Sequence, residues 1–184
     1  MDSDKHVVLT ATEVERTLDR LTEEVLARHQ NLDHLVVVGV RTGGAYLAHR
    51  LAHRLSRRSQ RDIRVGVLDI TLYRDDWTRI SHKPLVGKTE LPGSIDDQEV
   101  LLVDDVLFTG RTIRAALDAL MDYGRPSRIE LLVLVDRGGR ELPIRPDYVG
   151  LILNLSPPQR VNVYLAEMGG VDEVAIEGGP PNRS

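Results

Sequence analysis

Apolar positions recur along the chain in two periods, and the alternation between them outlines a fold. Val14, Leu18, Leu21 and Val25 follow one another at helical spacing, and Thr12 with Glu15 three residues later predicts a capping box, so a helix is expected from Thr12 to about His29. Leu35 to Val40 is a short aliphatic, β-branched run and predicts a buried strand. Gly43-Gly44 opens a second helix that carries Leu47, Leu51 and Leu55 on one face. Further strands are expected at Ile63 to Leu72, Val100 to Val103 and Ile129 to Val135, with a helix from Ile113 to Met121 that Gly124 and Pro126 end. Shorter strands follow at Tyr148 to Leu153 and Val161 to Ala166, divided by Ser156-Pro-Pro158. Strands alternating with helices imply a parallel sheet whose ligands sit at the carboxyl ends of the strands.

One stretch breaks the rhythm. Tyr73 to Asp97 is polar and aperiodic, and a segment of that length inside a compact domain predicts a lid or binding loop. One domain is expected over residues 1–177, with 178–184 a disordered tail, and the sequence shows no internal repeat.

Composition narrows the function. With 24 Lys and Arg against 28 Asp and Glu the formal charge is −4, so a nucleic-acid role needs a local basic patch. Aromatics are 4% of the chain, too few for a base-stacking platform. The absence of cysteine removes disulfides, thiolate metal sites and cysteine nucleophiles, and suits a reducing compartment. Neither a signal-peptide pattern nor an apolar run near the ~18 residues of a membrane span is present, so the expected location is cytoplasmic, away from membranes.

The chemistry concentrates in Val100-Leu-Leu-Val-Asp-Asp-Val-Leu-Phe-Thr-Gly-Arg-Thr112. A buried strand is expected to end on Asp104 and Asp105, and a hydroxyl- and glycine-bearing loop leads into a helix start. Such a start offers unpaired backbone N–H groups and a positive dipole end to a phosphate, with Thr109 and Thr112 adding donors and Gly110 allowing close approach. The two carboxylates would repel that phosphate unless they face something else, such as ribose hydroxyls and their Mg²⁺. A sugar 5-phosphate meets both demands.

This segment closely resembles the phosphoribosyl-pyrophosphate (PRPP) signature of type I phosphoribosyltransferases. The resemblance implies that Asp104 and Asp105 hold the ribose hydroxyls, and the PRPP-bound magnesium indirectly. Val106, Leu107, Phe108, Thr109, Gly110, Arg111 and Thr112 would cradle the 5-phosphate. Gly39-Val-Arg-Thr-Gly-Gly44 resembles the family's pyrophosphate loop, which assigns Arg41 and Thr42 to pyrophosphate. Purine enzymes of the family place a catalytic Asp where this chain has Phe108. Ile70-Thr-Leu-Tyr-Arg-Asp-Asp76, Gly124-Arg-Pro126, Leu134-Val-Asp-Arg-Gly138 and Arg140-Glu-Leu-Pro143 resemble the pyrimidine-operon attenuator and uracil phosphoribosyltransferase family, PyrR, over Val8 to Ile176. That resemblance implies a type I phosphoribosyltransferase α/β fold, with a mainly parallel central sheet flanked by helices, a small hood and a flexible loop. It implies a uracil phosphoribosyltransferase that uses PRPP and Mg²⁺ and releases UMP and diphosphate. Arg74, with Arg79 or Lys83, would come down with the loop; uracil would lie near Asp136 and Arg137; and the chain would form a homo-oligomer, a dimer or higher.

Pyrimidine-operon leader RNA is the family's other partner, and here the sequence departs. Asp19, Glu23, Gly43, Gly139 and Leu151 stand where RNA-binding members carry Thr, His, Arg, His and Lys, leaving Arg20, Arg28 and Arg140 as the candidate RNA contacts. Acids at such positions repel phosphate, which sets the enzyme reading above RNA attenuation. The run Arg50, Arg54, Arg57, Arg58, Arg61, Arg64 reads as a solvated helix face rather than an RNA footprint. His49 and His53 have metal-ligand spacing without a third ligand, and Gly87-Lys88-Thr89 lacks the leading glycine of a P-loop.

Overall fold

The structure, a computed structural model, describes residues 5–76 and 87–178. Its centre is a sheet of five parallel strands: β2 (Leu35–Val40), β3 (Arg64–Leu68), β4 (Glu99–Leu107), β5 (Arg128–Asp136) and β6 (Tyr148–Ile152), in the order β3-β2-β4-β5-β6. The order places β2 and β4, with the two glycine-containing loops that follow them, side by side. Both faces of the central strands are covered, so their aliphatic runs need no polar alternation. Val37, Leu101, Val103, Leu132 and Leu134 point into one core with helices α1 (Ala11–Arg28) and α2 (Gly43–Ser59). Val36, Val38, Leu102, Leu131 and Val133 point into the other, against α3 (Arg111–Met121). Each fully buried side chain of this kind contributes about 1.5–3 kcal/mol.

Two elements were not foreseen. β1 (His6–Leu9) and β8 (Glu173–Glu177) join β7 (Arg160–Tyr164) in a three-stranded antiparallel sheet of order β1-β8-β7, the hood, and its Val161, Val163 and Val174 continue the first core. The strand expected at Val161 to Ala166 therefore leaves the parallel sheet. The strand expected at Ile63 to Leu72 stops at Leu68, and Thr71–Tyr73 is a 3₁₀ turn. The capping box sits two residues earlier: Thr10 donates its N–H and its hydroxyl to Glu13, each at 2.7 Å, which releases Glu15 for another partner. No helix among the described residues is long and apolar enough to cross a membrane.

The arginine run is exposed at Arg57, Arg58 and Arg61, as a solvated face requires, but most of its members also pair with acids. Arg50 reaches Glu167 and Asp172 of the hood at 2.5 and 2.6 Å, Arg54 pairs with Glu15 and Asp19 of α1, Arg58 with Asp19 and Glu23, and Arg61 with Asp33. The ladder stitches α2 to α1 and to the hood. At the amino ends of β4 and β5 a second polar cluster is buried: His29 bridges Glu99 and Glu130 at 2.9 and 2.7 Å, and Tyr148 donates to Glu130 at 3.1 Å.

Arg50 has the most to lose among the ladder residues, because its guanidinium is 15% exposed and makes paired bonds to both acids. Arg50→Ala is expected to cost about 2 kcal/mol, the scale of hydrogen bonds to charged groups, in urea unfolding at neutral pH. Hydrogen bonding to Arg50 is the leading reason that the Glu167 and Asp172 carboxyls lie below their ordinary values. Their contribution is complete above the unfolded values near ~4 and is lost as pH falls through the depressed folded values. The gap between wild type and Arg50→Ala should accordingly narrow in acid; a gap independent of pH would show that the ion pairs carry none of it.

Candidate active site

The site lies at the carboxyl edge of the sheet and is built by close approach of α2 to β4. A Cβ on Gly39 would lie 2.4 Å from Gly44 O, one on Gly43 2.4 Å from Asp105 Oδ2, and one on Gly44 2.5 Å from Val103 O. Only bare backbone fits there, so the start of α2 is pressed against the acid pair. The Arg41–Thr42 peptide between them is cis. Gly43 stands where the RNA-binding pattern calls for Arg, and here a side chain would meet Asp105.

β4 runs past the acids to Leu107, so Asp104 and Asp105 belong to the strand and do not end it. Asp104 is buried and accepts the Asp105 N–H at 2.9 Å, while Asp105 accepts the Val106 N–H at 2.7 Å. Burial first, and then the neighbouring Asp105 charge, push the Asp104 carboxyl well above its usual value. The turn Phe108, Thr109, Gly110 follows, with Gly110 at φ +92° as the residue preceding α3, and the Arg111 N–H donating to Thr109 Oγ1 at 3.2 Å.

Two adjoining cavities open on these groups. One, of about 480 Å³, is lined by Arg41, Thr42, Gly43, Asp69, Asp104, Asp105 and others. The other, of about 670 Å³, is lined by Val106 through Ile113 and by Arg74, Asp75 and Asp76. Arg74, Val106 and Thr112 border both. Nearly every residue expected at the site is thus brought together. Arg79 and Lys83 lie outside the described residues, as does the tail beyond Gly178.

Asp136 and Arg137 line neither cavity. Asp136 is held by both its oxygens on Arg140 Nη2, at 2.9 and 2.7 Å, so its carboxylate is already engaged. Arg137 is buried, its guanidinium 3.7 Å from the centre of the Phe108 ring, and its Nε has no hydrogen-bond partner. Arg140 also donates to Phe108 O at 2.6 Å and Ile144 O at 2.9 Å, which makes it an internal clamp. Arg20 is likewise engaged, with Glu24 and with the Gly150 carbonyl at 2.5 and 2.6 Å, and Arg28 stacks over Tyr148. Asp19 and Glu23, expected to repel phosphate, are offset by Arg54 and Arg58.

Sequence reasoning missed Asp69, although its position just past the carboxyl end of β3 was the available signal. Burial pushes its carboxyl up, but the N–H groups of Thr71 and Gly87 and the Arg41 charge outweigh it and hold the group below its usual value. Among the described residues no group of three or more His, Cys, Asp or Glu forms a metal cage. Two carboxylates beside an open cavity suit Mg²⁺ that arrives already bound to substrate oxygens, since that ion keeps water and phosphate ligands and takes few from protein.

The buried acid pair makes a stability prediction of definite sign. A carboxyl raised in the folded state destabilises progressively as pH rises from its unfolded value near ~4. Asp104→Asn keeps the acceptor for the Asp105 N–H and removes the charge. It should therefore melt higher than wild type at pH 8, with the difference shrinking toward pH 4; a lower melting temperature at pH 8 would contradict a strained acid.

The phosphoribosyl transferase domain family matches residues 8–163. The bifunctional protein PyrR of Syntrophobacter fumaroxidans is 50% identical over 177 residues, 96% of this chain and 95% of that one. The protein of the same name from Desulfosudis oleivorans is 52% identical over 170 residues, 92% and 94% of the two chains. Among solved structures, a hypoxanthine phosphoribosyltransferase of Staphylococcus aureus superposes with a TM-score of 0.69 at 22% identity, covering 100% of this chain and 96% of that one, and so shares the fold. With the acid pair on β4, the phosphate turn behind it and the glycine-packed loop of α2 in one cleft, these matches show that the chain belongs to the phosphoribosyltransferase family and, within it, to the PyrR proteins.

Proposed function

We propose that this protein transfers the ribose 5-phosphate of PRPP to uracil, giving UMP and diphosphate. The observation that carries the reading is the pair of adjoining cavities, one walled by the acid pair and Arg41, the other by the start of α3, with Val106 and Thr112 common to both. A 5-phosphate takes the helix start, where N–H groups lack intrahelical acceptors. The ribose hydroxyls take Asp104 and Asp105, and the diphosphate takes Arg41 and Thr42. Phe108 is 42% exposed and backed by Arg137, which supports a flat base against its open face. Asp136 acts through Arg140, which holds the Phe108 carbonyl in place.

Bond exchange at the ribose needs no nucleophile from the protein: the bond to diphosphate breaks, that to uracil N1 forms, and the N1 proton passes to the departing diphosphate or to water. The chain positions two substrates and offsets the charge that develops on the leaving group. Asp104 and Asp105 are the residues that would face a substrate-bound Mg²⁺, whose charge would offset part of that on the leaving group. Arg74, now paired with Asp76 at 2.9 Å, stands at the border of both cavities and is the cation best placed to turn toward the leaving group.

Asp104→Asn with Asp105→Asn is expected to reduce uracil-dependent pyrophosphate release by more than about 10³-fold, the scale of positioning and charge contacts, while the protein stays folded. Uracil should be used in preference to hypoxanthine and guanine. Retained transfer in the folded double variant would remove the acids from the site.

Leader-RNA binding is the second reading, favoured by relatives named bifunctional at 50% identity. Arg20, Arg28 and Arg140 all serve internal contacts, and the α1–α2 face is self-neutralised, so an RNA gains few phosphate contacts there. The expected result in a gel-shift titration with UMP is weak binding that salt abolishes and a scrambled loop matches. Tight, loop-specific binding at physiological salt would show that the regulatory surface lies elsewhere on the chain.

A further inference from the structure

We propose that Asp69 is a positioning residue for the diphosphate end of the cleft, holding the Arg41 guanidinium in place and closing the neck of the segment that leaves at Thr71 and returns at Gly87. The proposal rests on the transferase reading above and adds a residue that the signature motifs do not contain. Three parts of the chain converge on one carboxylate whose side chain is 9% exposed. Its Oδ1 accepts the Thr71 N–H at 2.9 Å where the chain departs, and Oδ2 accepts the Gly87 N–H at 2.8 Å where it returns. Arg41 Nε stands 4.0 Å from the same Oδ2, and Arg41 Nη2 donates to Lys88 O at 2.7 Å. Two sides of the guanidinium are thereby oriented by the neck, and Nη1, which has no partner among the described residues, is left for an anion.

The neck is tied by backbone as well. Val67 and Glu90 exchange both their backbone hydrogen bonds at 2.8 Å, and the Asp69 N–H donates to Thr89 Oγ1 at 3.0 Å. Gly87 has a packing reason to lack a side chain, since a Cβ there would fall 2.4 Å from Asp69 Oδ2 and 2.8 Å from Arg41 Cδ. Asp69, Gly87 and Arg41 all line or border the cavity of Asp104 and Asp105. A guanidinium held by fixed partners loses less freedom when it meets an anion than one on a free four-bond stem.

A carboxylate beside an anion site has two opposite consequences, and their sign separates the roles. If Asp69 only contributed charge, its removal would relieve repulsion and tighten diphosphate binding. If it positions Arg41, its removal weakens that binding. The test titrates inorganic pyrophosphate with Mg²⁺ calorimetrically into wild type, Asp69→Asn, Arg41→Gln and the double variant, with uracil-transfer kinetics alongside.

Asp69→Asn should raise the pyrophosphate Kd and the PRPP KM by about tenfold, the size of one charge-assisted contact, and leave the uracil KM unchanged. The double variant should be no weaker than Arg41→Gln alone, because residues acting as one unit are not additive. Asp69→Ser, which keeps a short hydroxyl acceptor but removes the carboxylate that faces Arg41, should act in the same direction and decides the matter if Asp69→Asn fails to fold. Unchanged or tighter pyrophosphate binding in a folded variant, or additive losses in the double variant, overturns the proposal. Should wild type bind pyrophosphate with these same losses yet transfer nothing to uracil, the transferase reading fails and the role of Asp69 stands. Absence of pyrophosphate binding by wild type overturns both.

Discussion

The site depends on how near the start of α2 comes to the middle of the sheet. Gly39, Gly43 and Gly44 leave no atom between that helix start and the backbone of β4 at Val103 and Asp104, and Asp105 closes against Gly43. A single methyl at any of the three would meet an atom at 2.4 to 2.5 Å, so the helix would have to retreat. Retreat would separate Arg41 and Thr42 from the acids. The same parallel pairing of β2 with β4 sets both loops on one edge, so packing in the core is translated directly into spacing in the cleft.

Charge is used differently at the two edges of this sheet. At the amino edge His29, Glu99, Glu130 and Tyr148 satisfy one another, and burial there is matched by bonds. At the carboxyl edge Asp104 is buried beside another acid with only a backbone N–H for relief. That imbalance is the kind of local cost that substrate hydroxyls and a bound cation remove on arrival. The α1–α2 ladder follows the first pattern: Asp19 and Glu23 look repulsive along α1 alone but face Arg54 and Arg58 across the helix contact.

Much of this was legible before any coordinates. Runs such as Leu35 to Val40 and Ile129 to Val135 are long and uniform enough to name buried strands, and the segment from Val100 to Thr112 carries its chemistry in contiguous residues. What escaped depends on distant partners. β1 and β8 are short, lie at opposite ends of the chain and make sense only as a pair. Helical period showed that the α2 arginines share a face but could not show which acids face them. Asp136 and Arg137 were placed near uracil by resemblance alone, and the sequence could not show that the Asp136 carboxylate is taken by Arg140. The capping box slipped by two residues because Thr10 with Glu13 and Thr12 with Glu15 satisfy the same pattern, and only packing of Val14 and Leu18 decides between them.

Asp69 shows why such residues stay hidden from motifs. Its value comes from binding Thr71 and Gly87 at the same moment, and the sequence between those two is aperiodic, so no fixed spacing marks the arrangement. Loop-closure cost grows only slowly with length, so the segment between can vary while its neck is held by a few local bonds. A strand-end carboxylate that gathers both ends of an irregular segment gives a geometric criterion: it should be sought wherever the first residues after a strand and the return of a long loop meet at a cavity wall. Among the described residues the criterion points to Asp69, on the wall of the cavity that Arg41 and the acid pair share, and it does so without reference to the signature that identifies the rest.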